Sequence, residues 1–389
     1  MIKKVFFATP MRGFFKHLFT EECIDANFLW DENSLYEVNT TMQNLKKSIG
    51  RSWTLDYLGY IQTPKAYNKN CDMCASFNRF LKTDKPYFVY VENPTALYHY
   101  RLKRGKTCLG KRKLKKLVSD DHLHALVCMS KACQYTFEKV CTSVPSNVNL
   151  IQIYPLVPDN PFVNDVYLKT KFSNSNTLRL LFIAQGVRFL SKGALEVIEA
   201  FKRLRDMGLD IKLTVITSVL DADKNALNLA KEEDGISLYD FKFSFEELQK
   251  VYAEHSVLLI PTSDDSFNLT VLEAMKGGLP IIGSSLYAIP EMVKDGYNGF
   301  LTEPSYYFFD KNCIPNPKVW NNRKKTIYSG KRNERICNFL VDKILLLYNN
   351  RELLTQMSIN SLEMSNSAPF SKEYIVSQWK HLLNEISAD

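Results

Sequence analysis

No apolar run in the 389-residue sequence is long enough to span a bilayer. The first ten residues, MIKKVFFATP, carry two lysines but not the apolar core of a secretory leader. These absences predict a cytoplasmic protein, with any membrane association peripheral, at the inner face. Cysteine is present in an odd number, nine, scattered along the chain. Cys71 and Cys74 form one C-x-x-C, but no second pair and no nearby histidine pair completes a zinc site, and a thioredoxin-like context is missing. The cysteines therefore read as reduced, buried thiols, and no metal site is expected. Glycine is scarce where a phosphate-binding turn would need it: the first apolar run, VFFA, is followed by TPMRGFF with only Gly13. Acidic residues are scarce in the first 160 positions, which hold 23 Lys and Arg against 14 Asp and Glu, whereas the remainder holds 27 against 28. The first part of the chain carries the excess charge and is the part expected to meet an anionic partner.

What is there alternates short β-like runs with helical stretches, and the length predicts two domains. Val5–Ala8, Tyr87–Val91, Ala125–Met129 and Asn149–Ile153 are candidate strands of the first half. Residues 154–177 turn proline-rich and polar, as an interdomain linker does. Leu178–Ala184, Ile211–Thr217, Ile236–Phe243 and Ser256–Ile260 supply strands of the second half. Ser244 and Glu247 form a capping box for a helix ending near Glu254, and Gly208 fits the end of a preceding helix. Residues 303–334 show neither helical nor strand period and read as an inserted loop.

The stretch Pro261–Pro280, PTSDDSFNLTVLEAMKGGLP, follows the apolar run SVLLI and reads as a strand opening into a loop and a helix. Asp265 and Glu273 bracket the loop and first helical turn, so two carboxylates meet the unsatisfied amides of a helix N-terminus. Read locally, Thr270 and Glu273 also make a T-x-x-E capping box, which would close the helix without any ligand. An earlier segment, QGVRFLSKG, places Arg188 and Lys192 between a strand and a helix, cations suited to an anionic group.

The 261–280 segment resembles the signature of the retaining glycosyltransferases of family 4, E-x-F-G-x-x-x-x-E-A-M-A-x-G-x-P. Asp265, Phe267, Glu273, Ala274, Met275, Gly278 and Pro280 stand in register, with Asp265 for the first glutamate and Asn268 for the glycine. Asn is among the few side chains that tolerate a left-handed backbone. Gly186, Phe189, Lys192 and Gly193 match the family's phosphate-grip segment, and the likeness continues to about residue 302.

The resemblance implies an α/β fold of two Rossmann-like domains facing a cleft, the glycosyltransferase B architecture. Residues 1–165 would bind the acceptor, with the helix at 371–389 packing back on them, and residues 171–370 would bind a nucleotide sugar. The activity implied is retaining, metal-independent transfer of a hexose from a nucleotide sugar to a glycan or lipid-linked acceptor, in surface polysaccharide or glycoconjugate synthesis. No cofactor is expected beyond the donor itself. By the same resemblance Glu273 holds the ribose hydroxyls. Asp265 and the amides of Phe267, Asn268, Leu269 and Thr270 hold the sugar and its phosphate, while Lys192, Arg188 and the turn at Gly186 take the diphosphate. The turn at Tyr239–Lys242 is a candidate for the nucleobase. Glu92, at the end of a first-half strand, is the candidate facing the donor, whereas His99 reads as a solvated surface histidine. The basic run 101–116, RLKRGKTCLGKRKLKK, carries nine positive charges and no negative one. It reads as a solvated loop and helix face, or as a contact for an anionic membrane surface or acceptor. It lacks the interleaved aromatics that single-stranded nucleic acid would need, and no nucleic-acid partner is expected. An epimerase or phosphorylase of the same fold, or a non-catalytic nucleotide-sugar binding protein, fits the same residues.

Overall fold

Runs such as YFVYV at 87–91 are buried along their whole length, the condition of a parallel strand covered by helices on both sides of its sheet. The computed structural model describes residues 2–10, 12–30, 52–67, 70–141, 144–172 and 176–386. The chain divides into two units, Met1–Leu156 with Lys372–Asp389, and Val157–Ser371.

The first unit contains β1 (Lys3–Phe7), α1 (Phe15–Phe19), β2 (Ala26–Trp30), α2 (Trp53–Tyr57), β3 (Met73–Phe77), β4 (Tyr87–Val91), α3 (Pro94–Leu97), α4 (Cys108–Val118), β5 (Leu123–Cys128), α5 (Lys131–Val140) and β6 (Asn149–Gln152). Its strands pair in parallel in the order β2-β1-β3-β4-β5-β6. The four runs read from sequence are β1, β4, β5 and β6, with ends shifted by one or two residues in all but β4. Sequence reading missed β2 and β3. β3, MCASF, is rich in small and sulfur residues of modest strand preference, yet it is buried throughout between β1 and β4; its partners decide its conformation.

The second unit contains α6 (Asp165–Lys171), β7 (Leu178–Ala184), α7 (Ala194–Asp206), β8 (Ile211–Thr217), α8 (Lys224–Glu232), β9 (Ile236–Asp240), α9 (Phe245–Glu254), β10 (Val257–Ile260), α10 (Leu269–Lys276), β11 (Ile281–Ser284), α11 (Ile289–Met292), β12 (Gly299–Thr302), α12 (Pro317–Trp320), α13 (Glu334–Asn349) and α14 (Arg351–Ser365). The all-parallel order is β12-β11-β10-β7-β8-β9, the doubly wound arrangement in which strand order reverses between β7 and β10. Val197, Phe201 and Leu204 of α7 and Ile336, Leu340 and Ile344 of α13 fill the core on this sheet. Among the described residues no helix is long and apolar enough to cross a membrane.

The chain finishes in the first unit with α15 (Lys372–Glu385). Trp379 lies 5.5 Å from the Phe88 ring and 5.8 Å from Tyr90, and Leu382, Leu383 and Ile386 are buried beside it.

Two segments differ from the sequence reading. The linker at 154–177 holds a helix, α6, capped by Asn164, whose side chain accepts from Tyr167 N–H at 2.9 Å; residues 173–175 of that linker lie outside the described residues. The 303–334 insertion is folded around aromatic rings. Phe308 stacks on Trp320 at 4.1 Å and Phe309 on Tyr287 at 4.0 Å, while the Arg323 guanidinium sits 5.0 Å from Phe308 and 4.9 Å from Trp320. α12 and a 3-10 turn at Arg323–Lys325 give it regular structure that four-residue periods cannot announce.

Candidate functional site

In an open α/β sheet, ligands bind outside the carboxyl ends of the strands where the order reverses. In the second unit that place is occupied by the loops after β7 and β10, the two segments singled out by sequence. After β7 the chain makes a 3-10 turn, Gly186–Arg188, and reaches Gly193, which caps α7 with φ 88°. A Cβ on Gly193 would stand 2.7 Å from Pro261 Cγ and 2.7 Å from Pro261 O, so only glycine lets the two loops meet. They are then stitched together. Ser263 N–H donates to Ser191 O at 2.8 Å, and Lys192 Nζ donates to Asp265 Oδ2 in a short ion pair between residues 8% and 6% exposed.

Asn268 completes this arrangement. It stands at the N-cap of α10 with φ 66°, the left-handed conformation expected of it, and its side chain donates to Asp265 Oδ2 at 2.8 Å instead of capping the helix. The start of α10 at Leu269 overturns the local capping-box reading, because Thr270 lies inside the helix. Glu273 instead accepts from the Tyr252 hydroxyl at 2.8 Å. Burial raises the Glu273 pKa above the usual carboxylate value, and the bond from Tyr252 opposes that shift.

Arg188 lies beside the same loop, its Nε 3.9 Å from Asp264 Oδ2 and its side chain 42% exposed. Asp264, which sequence reading passed over for its neighbour, is buried and also receives Ser191 Oγ and the Tyr328 hydroxyl, each at 3.5 Å. The acidic doublet itself was the available signal. Tyr252 offered none, because nothing local ties it to a carboxylate 21 positions away. The insertion adds a wall: Tyr306 N–H donates to Ser263 Oγ at 3.1 Å.

Eight further candidates thus join Lys192 and Asp265 in part only. Gly186, Arg188, Phe267, Asn268, Leu269, Thr270 and Glu273 share the second unit and its strand ends, whereas Glu92 belongs to the first unit. There Glu92 follows β4, takes a short hydrogen bond from Tyr100 and donates its N–H to Asn78 Oδ1 at 3.0 Å. Tyr239 and Phe241, in the turn proposed for a base, are exposed at the end of β9.

Three surface readings change. His99 is partly buried, stacks on Tyr60 with centroids 6.2 Å apart, and accepts the Gln62 N–H at 3.2 Å; burial, then Arg79 and Arg104, pull its pKa to about 3. The basic run is not wholly solvated: Arg104 is fully buried against Asp56 at 3.0 Å, and Arg101 binds the same carboxylate. Cys23 and Cys108 are exposed, not buried, whereas the Cys71 and Cys74 sulfurs lie 4.0 Å apart, too far for a disulfide bond, and burial pushes Cys74 up to about 12.

Residues 177–307 match the family model described as glycosyl transferases group 1. Through this segment, about a third of its length, the chain is similar to the group 1 glycosyltransferases. An uncharacterized glycosyltransferase of Methanocaldococcus jannaschii is 30% identical over 144 residues, 37% of this chain and 32% of that protein. An uncharacterized glycosyltransferase of Haemophilus influenzae is 26% identical over 221 residues, 57% of this chain and 53% of its own length. The chain spans about half or less of the length of the curated relatives it matches. Among solved structures, Anabaena HepE in complex with UDP-glucose superposes with a TM-score of 0.61 at 13% identity, covering 98% of this chain and 100% of that one. At that identity the likeness is one of fold: two Rossmann-like domains, as in the glycosyltransferase B proteins. The group 1 segment contains every candidate site residue except Glu92.

Proposed function

We propose that the chain is a group 1 glycosyltransferase that moves a hexose from a nucleoside diphosphate sugar to a glycan or lipid-linked acceptor, with retention and without a metal ion, in the synthesis of a surface polysaccharide or glycoconjugate. The observation that carries the reading is the convergence of Lys192, Arg188, Asp265 and the N-terminus of α10 at the strand reversal of the second sheet. When the bond from the sugar C1 to the phosphate oxygen breaks, its electrons go to the diphosphate. Lys192 and Arg188 stabilise that growing charge, and the first amides of α10 add the positive end of the helix dipole. The Asp265 carboxylate holds the Lys192 ammonium in place before the donor arrives, and Asn268 fixes the carboxylate in turn. In this reading Glu273, which now accepts from the Tyr252 hydroxyl, accepts from the ribose hydroxyls of the donor. The exposed rings of Tyr239 and Phe241 offer a surface for the base.

HepE forms a complex with UDP-glucose, and UDP-sugars are the first donors to try. A thermal-shift panel of UDP-, GDP-, ADP- and CMP-sugars tests the reading, because a ligand at 100 times its Kd stabilises the fold by about 2.7 kcal/mol. A shift with one nucleotide class, followed by transfer to an acceptor with the anomeric configuration kept, supports it. No shift with any of the four refutes it.

A further inference from the structure

Sequence reading treated residues 101–116 as a charge run; the structure shows that two of its arginines build something else. Arg104, fully buried, and Arg101 both bind Asp56 of α2, and so clamp that helix against the start of the basic segment. The clamp leaves the other side of α2 in water, with Trp53 77% exposed, Tyr57 65% and Leu58 57%. Trp53 and Tyr57 are one helical turn apart and share a face. At the end of α2 the chain meets α4 backbone to backbone, since a Cβ on Gly59 would lie 2.3 Å from Gly110 Cα. Leu58 and Leu109, the latter 43% exposed, immediately precede the two glycines that meet. α4 buries Gly110, Leu114 and Val118 and turns Lys111, Arg112, Lys113, Lys115 and Lys116 to solvent.

We propose that this face, the ridge of Trp53, Tyr57, Leu58 and Leu109 together with the cations of α4, docks on an anionic lipid bilayer. Each half of the surface suits a different layer of that partner. Trp and Tyr rings settle at the boundary between headgroups and acyl chains, Leu side chains reach just below it, and Lys and Arg meet the lipid phosphates. An acidic polymer would be served by the cations alone and would leave four large apolar side chains in water. The inference goes beyond the transfer reading and does not depend on it, because its readout is adsorption.

The test is co-sedimentation of the full chain with vesicles of phosphatidylcholine alone and of phosphatidylcholine with phosphatidylglycerol, with tryptophan emission read in parallel. Of the four tryptophans, Trp53 is the only one exposed, Trp30 being intermediate and Trp320 and Trp379 buried. Binding to the anionic vesicles with a blue shift is expected, and Trp53→Phe should remove most of the shift while keeping the binding. Lys111→Glu/Arg112→Glu/Lys113→Glu should lose it, at roughly fivefold per cation removed. Trp53→Ser/Tyr57→Ser should weaken it about tenfold or more, with an unchanged melting temperature. The proposal is overturned if the wild type ignores anionic vesicles. It is equally overturned if Trp53→Ser/Tyr57→Ser binds as the wild type does and polyglutamate binds as well as vesicles, which would make the face a site for acidic polymers.

Discussion

Lys192 and Asp265, 73 positions apart in sequence, form one buried ion pair across the two loops that flank the strand reversal of the second sheet. Lys192→Ala removes the cation proposed to meet the diphosphate and strands a carboxylate that is 6% exposed. Breaking one side of a buried pair costs about 3 kcal/mol or more, whereas replacing both partners by neutral groups of similar size is often neutral. Lys192→Ala should therefore lose both transfer and stability. Lys192→Met/Asp265→Asn should regain the melting temperature but not the activity. Denaturant melts beside a transfer assay separate the two effects.

Glu273 and Tyr252 give a prediction confined to binding. A hydrogen bond to a charged group contributes about 1.5–3 kcal/mol, so Glu273→Gln should raise the Kd for a nucleoside diphosphate sugar roughly 10- to 100-fold. Titration calorimetry reads this directly. Tyr252→Phe removes the hydroxyl that occupies the carboxylate and should not weaken binding.

Gly193 and Gly208 test the fit of the loops against backbone strain alone. Both have positive φ, 88° and 82°, but a Cβ at Gly208 meets nothing within 4 Å whereas at Gly193 it strikes Pro261. Gly208→Ala should cost about 1–2 kcal/mol and leave nucleotide binding intact. Gly193→Ala should cost more than that and weaken binding as well, because the two loops must part. Urea melts and the same calorimetry compare them.

His255 predicts an acid-sensitive step in the second unit. Its ring lies 2.6 Å from Val251 O through Nδ1 and 2.7 Å from Thr214 Oγ1 through Nε2, an arrangement that suits the neutral ring with its proton on Nδ1. Burial above all, with Lys171 and Arg179 nearby, lowers its pKa from 6.5 to about 4, against the raising effect of the bond to Val251 O. Between those values the unfolded chain binds a proton that the folded chain refuses, so stability falls as pH falls from 6.5 towards 4, by at most about 3 kcal/mol. His255→Gln should flatten that dependence in urea melts at pH 7 and pH 4.5.

Much of this was legible because local chemistry and fold agree. The Ser244–Glu247 capping box is formed by both of its bonds, Gly208 closes α7, and Asn268 takes the left-handed backbone that its place in the motif implied. What stayed illegible depends on distant partners. β3 is a strand because β1 and β4 flank it, not because MCASF favours one. Asp56 and Arg104 stand 48 positions apart, so no window of sequence shows that the most basic stretch of the chain spends two arginines on its own fold. His99 looked solvated for the same reason: Tyr60 and the Gln62 amide that shelter it are remote in sequence.

The central claim is that the loops after β7 and β10 grip a nucleoside diphosphate sugar, and the most direct measurement is equilibrium binding of the donor identified by the panel to the wild type, to Lys192→Met/Asp265→Asn and to Glu273→Gln. The account predicts tight binding to the wild type and a loss of roughly 10-fold or more in each variant at unchanged melting temperature. Wild-type affinity in both variants would place the donor elsewhere and contradict it.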